Sequence, residues 1–190
     1  MEDTAGNRYF DIQHVWLDNF PIIGQIVKFQ RKDPTSGTWT DIPPCTDLLL
    51  SFGTIRVVGL AWDPVIDTAW WPPVRPNDNF GHYQLEFWKQ FSVVTSPLTS
   101  STTRVPALPG APPVPVPTTA DAGQLALWNL KDLDADAAPP TSVDPANKIS
   151  RGTACTYTLE LFVTDITAVN DAATTHYIYH DVPVKIINDL

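Results

Sequence analysis

The stretch from Cys155 to Asp165 constrains the fold more than any other part of the sequence, because apolar and polar side chains alternate along it. The apolar positions are Tyr157, Leu159, Leu161 and Val163. The positions between them are polar, with Phe162 as the one large apolar exception. A period of two over this length is typical of a strand with one buried side. The stretch therefore predicts a central strand whose apolar side is covered by a second sheet.

The rest of the chain is predicted as further short strands separated by turns. The chain contains 19 prolines, which disfavour long helices because an interior proline removes a hydrogen bond and clashes with the preceding turn. Gly59 lies inside one predicted strand and is expected to mark a bulge or a close backbone approach. The predicted strands are 8–17, 24–31, 38–42, 54–62, 82–91, 123–130, 176–180 and 182–187. This pattern predicts an all-β, antiparallel β-sandwich.

The sequence predicts one domain with two insertions. The sandwich spans 51–190, and residues 1–50 are interpreted as extra N-terminal strands and a hairpin packed on it. Two stretches of biased composition, about 94–122 and 131–150, are predicted to be insertions that interrupt the sandwich. The first is rich in Pro, Ser and Thr over 96–119 and is expected to be extended, with little regular pairing.

The acidic balance of the chain limits its partners. The formal charge is -9 and the isoelectric point is about 4.6, without a cluster of Lys or Arg. Such a chain repels phosphate backbones, so we expect no nucleic-acid partner. We also expect no membrane insertion, because no apolar run is long enough to span a bilayer. No export signal is recognisable at Met1, which leaves a removed signal and a cytoplasmic or assembly-delivered protein as alternatives.

Four segments carry a resemblance to a known class of module. Residues 55–61 follow I-x-V-x-G-x-A, and 80–86 follow F-x-x-Y-x-L-E. Residues 123–128 follow G-x-L-A-x-W, and 157–165 follow Y-x-L-x-L-x-V-x-D, before a closing V-x-V-x-I strand. The order resembles the immunoglobulin-like or fibronectin type III-like modules of bacterial surface and secreted proteins, over roughly residues 54–188. The two insertions depart from that pattern.

The resemblance implies a fold, a location and a mode of action. We expect an immunoglobulin-like β-sandwich at the cell surface or outside the cell. We expect a structural or adhesive module that contacts other protein subunits, including other copies of itself. The alternative is a carbohydrate-binding module that accompanies a secreted hydrolase.

Acidic residues near predicted strand ends are candidate metal ligands. Asp63, Asp67, Asp78 and Asn79 fall in one loop, and Asp165 ends the central strand. Calcium prefers six to eight oxygen ligands, so these residues predict a calcium site, although the fold is not expected to require the ion. The alternative is that they terminate strands and cap turns through bonds from side chain to backbone.

Adjacent tryptophans form a second candidate site. Trp70 and Trp71 lie in a proline-rich loop, where both cannot enter the same core pocket. An exposed indole would offer a flat platform for a sugar ring or a protein partner. The alternative is that the loop folds back and covers one end of the sandwich.

The two cysteines leave two alternatives. If the protein is exported, Cys45 and Cys155 could form one long-range disulfide, which would stabilise the fold by roughly 4 kcal/mol in the chain-entropy account. Otherwise both are buried thiols that behave as small apolar side chains.

No catalytic motif is recognisable in the chain. Neither a G-x-S-x-G turn around a nucleophilic serine nor a glycine-rich phosphate loop occurs. We therefore expect no enzymatic activity and no required cofactor. A hydrolase with a site around Asp63 to Asp78 is the remaining catalytic hypothesis.

Overall fold

The computed structural model describes residues 22–63, 80–107, 116–137, 141–165 and 177–190. Within these ranges there are nine strands, four short 3-10 helices and no α-helix. The strands are β1 (Ile23–Lys32), β2 (Trp39–Asp41), β3 (Leu48–Leu49), β4 (Thr54–Trp62), β5 (Phe80–Lys89), β6 (Ser96–Ser101), β7 (Gly123–Asn129), β8 (Ala154–Asp165) and β9 (Tyr177–Ile187). The 3-10 helices are Leu50–Phe52, Thr119–Asp121, Leu130–Leu133 and Pro145–Asn147.

The strands form two sheets that share one core. One sheet has the order β2-β1-β4-β7, and the other has the order β3-β9-β8-β5-β6. Every neighbouring pair is antiparallel except β3 and β9, which run parallel. Buried side chains from both sheets belong to one apolar cluster. The predicted class, an all-β protein with two packed and mainly antiparallel sheets, is therefore confirmed.

The central strand behaves as its alternation predicts. Tyr157, Leu159, Leu161 and Val163 of β8 are all 0% exposed. Across the core, the ring of Phe87 lies 4.8 Å from that of Trp128, between centroids, and so joins the two sheets. Full burial of such a side chain stabilises a fold by about 1.5–3 kcal/mol relative to exposure. One face of β8 therefore supplies the centre of the core.

The predicted N-terminal hairpin is confirmed as β1 and β2. The carboxylate of Asp33 accepts hydrogen bonds from the amides of Thr35 and Ser36, each at 2.8 Å. Gly37 has a φ of 72°, a conformation that glycine adopts without steric cost. The turn sequence therefore sets the pairing of Lys32 with Trp39.

Gly59 marks a close backbone approach, as expected. A Cβ atom at this position would lie 2.1 Å from the carbonyl oxygen of Gln25 on β1. The pairing register of β4 also shifts nearby, between Val57 and Val58 on the β7 side. A larger residue at position 59 would separate β1 from β4.

The expectation of little regular pairing over 96–119 is wrong at its start, where β6 pairs with β5. β6 is the last strand of its sheet, so only one of its edges needs hydrogen bonds. Pro97 lies beside a register shift opposite Glu86, where its missing amide hydrogen interrupts no regular ladder. Edge position and bulge together explain how a segment rich in Ser and Pro forms a strand.

The insertion at 131–150 adds apolar side chains to the core. Leu133 and Ile149 are both 0% exposed, although the surrounding composition is polar. Asp134 and Ile149 form an isolated parallel bridge. Asn188, near the C-terminus, donates from Nδ2 to Oδ1 of Asp134 and to the carbonyl of Ile149, each at 2.9 Å. The described part of the insertion is thus built into the sandwich.

A second buried asparagine connects the same insertion to three strands. Asn147 is 0% exposed, and its Nδ2 donates to the carbonyl of Val94 and to Oγ of Ser96, each at 2.9 Å. Its Oδ1 accepts from the backbone amide of Lys89 at 2.9 Å. The Tyr157 hydroxyl donates to the Asn147 carbonyl at 2.6 Å. Asn147 therefore joins β5, β6 and β8 at one end of the sandwich.

β9 replaces the two strands predicted at 176–180 and 182–187 with one continuous strand. Pro183 pairs with Thr158, whereas β3 pairs only with Ile186 and Ile187. Among the described strands, Pro183 is thus at an open edge, where it needs no amide hydrogen. The predicted strand at 8–17 lies outside the described residues. In the described part of the chain, no helix is long and apolar enough to cross a membrane.

Candidate functional site

Two of the predicted calcium ligands are buried next to strand ends. Asp63 follows β4, and Asp165 ends β8 opposite Phe80; their exposed fractions are 0% and 1%. Arg104 lies near both strand ends, because its Nε donates to the Asp63 carbonyl at 3.0 Å and its guanidinium lies 5.1 Å from the ring centroid of Phe80, the residue paired with Asp165. The two strand ends therefore carry two buried carboxyl side chains with a buried cation nearby.

The calcium site stays a prediction. Asp67, Asp78 and Asn79 lie outside the described residues. Among the residues that are described, no three His, Cys, Asp or Glu side chains are grouped so that they could hold a metal ion. Trp70 and Trp71 also lie outside the described ranges.

The two cysteines are free thiols. Cys45 is exposed and has a φ of 63°, and Cys155 is partly buried against the core. The structure therefore contains no disulfide between Cys45 and Cys155. The buried-thiol alternative is wrong for Cys45, because the loop that follows β2 carries its side chain to the surface.

The side of the five-stranded sheet that points away from the core carries a different set of residues, and we call it the outer face. It consists of the positions between the buried ones on β5, β8 and β9. Register aligns them in rows across the three strands. One row contains Gln84, Phe162 and Tyr179, and the next contains Glu86, Glu160 and Asp181.

Four rings form an aromatic cluster on the outer face. Phe162 lies at its centre, with ring centroids 4.9 Å from Tyr179, 6.0 Å from Tyr177 and 5.9 Å from His82. Tyr177 and Tyr179 are 61% and 52% exposed. Rings at these separations stabilise one another, and exposed aromatic surface is typical of binding sites. The aromatic cluster is thus an ordered apolar patch on a rigid sheet.

The row beside the aromatic cluster is acidic. Glu160 lies between Glu86 on β5 and Asp181 on β9, and adjacent strands are about 4.8 Å apart. Burial, followed by the charges of Asp181 and Glu86, raises the pKa of Glu160 above its usual value. The Gln84 amide donates a hydrogen bond to Glu86. We call Glu86, Glu160 and Asp181 the acidic row.

The acidic row has no cation among the ion pairs of the described residues. Like charges directly opposite each other on neighbouring strands destabilise a sheet. A depression of about 250 Å³ lies where the acidic row meets the aromatic cluster, lined by Gln84, Glu86, Glu160, Phe162 and Tyr179. Ring faces and carboxylates together can hold a cationic group or the hydroxyls of a sugar.

A larger cleft of about 400 Å³ lies between β1, β9 and the segment 42–48. Its lining is mainly apolar and includes Ile26, Phe29, Val184 and Cys45. The two lysines that line it already pair with carboxylates: Lys28 with Asp41 at 2.9 Å and Lys185 with Asp47 at 2.6 Å. Since these charges are paired, they offer little to orient a ligand, and the outer face is the stronger candidate site.

Sequence reasoning did not identify the outer face as a site. Its residues are scattered between His82 and Asp181 and meet only through the registers of β5, β8 and β9. Phe162 was the one available signal, because it is the single large apolar residue on the polar side of an alternating strand. An apolar residue at such a position indicates either a contact surface or a covered sheet.

Comparison with known proteins identifies no similar protein. No protein-family model matches the sequence, and neither the curated proteins nor the solved structures contain a significant match.

Proposed function

We propose that the chain is a non-enzymatic adhesive or structural module that binds a protein partner through its outer face. The observation that carries the proposal is the aromatic cluster, in which Tyr177 and Tyr179 are more than half exposed around Phe162. Tyrosine supplies a large contact area with few rotatable bonds and is enriched in protein interfaces. The cell-surface or extracellular location belongs to the same proposal and is tested by fractionating cells that express the protein.

The finer assignment to an immunoglobulin-like sandwich is also a proposal, and the strand order supports it. Such sandwiches keep strands A, B and E in one sheet and C, F and G in the other. Here β1, β4 and β7 are neighbours in one sheet, and β5, β8 and β9 in the other. The two sets correspond in chain order as well.

A tyrosine at the start of β8 supports the same assignment. Immunoglobulin-like sandwiches carry a tyrosine near the start of strand F whose hydroxyl bonds to backbone a few residues upstream. Tyr157 lies near the start of β8, and its hydroxyl bonds to the Asn147 carbonyl. The adhesive modules that the sequence resembles are built on this type of sandwich.

The placement of the aromatic cluster favours binding by contact. Its rings project from β5, β8 and β9, where the alternate side chains are fixed in the core. A site on rigid strands holds its side chains more accurately than one on loops, and little conformational freedom is lost on binding. Such a surface suits a docking function.

The test compares affinity capture by three forms of the intact protein. The Phe162→Ser/Tyr179→Ser variant removes the centre of the aromatic cluster. The Leu127→Ser variant is the control, because it removes a 49% exposed apolar side chain from β7 on the other sheet. We expect the wild type and the control to retain a surface or secreted protein that the double variant does not retain. That protein, once purified, is expected to bind the wild type directly. If no protein distinguishes the double variant from the control, the proposed function is refuted.

The carbohydrate-binding alternative has its own supporting observation. The depression combines the ring faces of Phe162 and Tyr179 with carboxylate and amide acceptors, a combination that suits sugar rings. A glycan array with the wild type tests it. Binding lost in Phe162→Ala/Tyr179→Ala would place the sugar on the outer face. Binding lost only in Trp70→Ala/Trp71→Ala would place it on the tryptophan loop, and no binding would remove the alternative.

A further inference from the structure

We propose that the protein partner docks on the outer face with a basic segment, placing an arginine or lysine side chain against the aromatic cluster and its charge at the acidic row. This inference rests on the proposed function and names the chemistry of the partner. The aromatic cluster provides the docking surface, and the charge beside it selects the occupant.

The geometry of the depression suits a long cationic side chain. Phe162 and Tyr179 form one wall with ring centroids 4.9 Å apart, and Glu86 and Glu160 form the other. The aliphatic part of an arginine or lysine packs on apolar surface while its charged end reaches polar groups. An arginine guanidinium also stacks on aromatic faces and donates two parallel hydrogen bonds to a carboxylate.

The charge of the outer face favours a cationic occupant over a second copy of the chain. Three carboxylates lie side by side without a cation among the described ion pairs, on a chain whose formal charge is -9. An incoming cation relieves the repulsion within the acidic row. A second copy would instead bring another acidic row to the same place, so a face-to-face homodimer is disfavoured. Complementary charge also steers the approach of the partner.

An extended basic segment can engage the whole acidic row. Glu86, Glu160 and Asp181 lie on three successive strands, so the row spans about 10 Å at the usual strand spacing. Side chains two residues apart on an extended segment point the same way and are about 7 Å apart. Two basic residues at such a spacing can therefore contact the acidic row together.

The experiment is the selection of random peptides displayed on phage against the intact protein, followed by anisotropy titrations with the enriched peptides. We expect arginine or lysine to be enriched at alternating positions. We expect binding to weaken about tenfold or more in the Glu86→Gln/Glu160→Gln/Asp181→Asn variant, and binding to the wild type to weaken as salt increases. The Phe162→Ser/Tyr179→Ser variant is expected to lose binding as well.

The matched control removes the same number of charges elsewhere. Asp41→Asn/Asp121→Asn/Asp132→Asn neutralises three carboxylates that lie off the outer face and is expected to bind as the wild type does. Circular dichroism and the urea midpoint of each variant establish that it is folded. A folded charge-neutral variant that binds normally would overturn the inference.

The outcomes separate this inference from the proposed function. If the enriched peptides lack basic residues but still depend on Phe162 and Tyr179, the inference fails and the proposed function stands. If no peptide depends on the aromatic cluster, both fail. If a glycan displaces peptides that lack basic residues, the inference fails and the carbohydrate alternative is favoured.

Discussion

Replacing Asn147 with alanine is expected to destabilise the fold by about 3 kcal/mol. Three side-chain hydrogen bonds of 2.9 Å are lost, two from Nδ2 to Val94 and Ser96 and one to Oδ1 from the Lys89 amide. A hydrogen bond contributes about 1 kcal/mol net, and the partner groups are left unpaired because the site is buried. Water entering the vacated volume would reduce the loss to about 1.5 kcal/mol.

Urea unfolding followed by tryptophan fluorescence measures this loss, since Trp128 is buried in the core. With a slope of about 2–3 kcal/mol per M, the midpoint is expected to fall by about 1 M. Asn129→Ala is the control, because Asn129 is exposed and, among the described residues, its side chain bonds only to Asp132. Its effect is expected to stay within about 0.5 kcal/mol. An Asn147→Ala variant as stable as the control would refute the role assigned to this residue.

Three further predictions concern single side chains. Tyr157→Phe is expected to cost about 1–2 kcal/mol in urea unfolding, because the buried Asn147 carbonyl loses its donor; an unchanged midpoint would contradict this. Glu160→Gln is expected to stabilise the fold near neutral pH but not below about pH 4. The folded state holds the Glu160 proton more tightly than the unfolded chain, so stability falls as the pH rises from the unfolded pKa of about 4.5 towards the higher folded pKa; a benefit independent of pH would be inconsistent. Cys45 is expected to react with a thiol reagent well before Cys155, and equal rates in Cys45→Ser and Cys155→Ser variants would argue against the observed difference in exposure.

The strands with strong local signals could be predicted from the sequence. β8 and the hairpin of β1 and β2 have clean alternation or an unambiguous turn, so their residues alone specify them. β6 could not be predicted, because Pro97 argues against a strand unless the edge position and the bulge opposite Glu86 are known. The role of Asn147 was hidden for a similar reason, since its hydrogen-bond partners come from distant parts of the chain.

The outer face depends on register, which local patterns do not contain. Glu86, Glu160 and Asp181 are each unremarkable as single polar positions on a strand. Their alignment follows from which strands are neighbours and from the residue at which each pairing starts. A shift of one residue in either pairing would point one strand's acidic side chain into the core.

The alternation along β5, β8 and β9 also divides the sequence into two sets that can change independently. Inner residues such as Leu159 and Leu161 are fully buried and specify the fold, whereas the outer residue Tyr179 is about half exposed and packs against Phe162 on the outer face. Substitutions in the outer set leave core packing intact, so recognition can diversify without loss of the scaffold. The same property makes the outer face a suitable surface for engineered binding, with randomised outer positions on an unchanged interior.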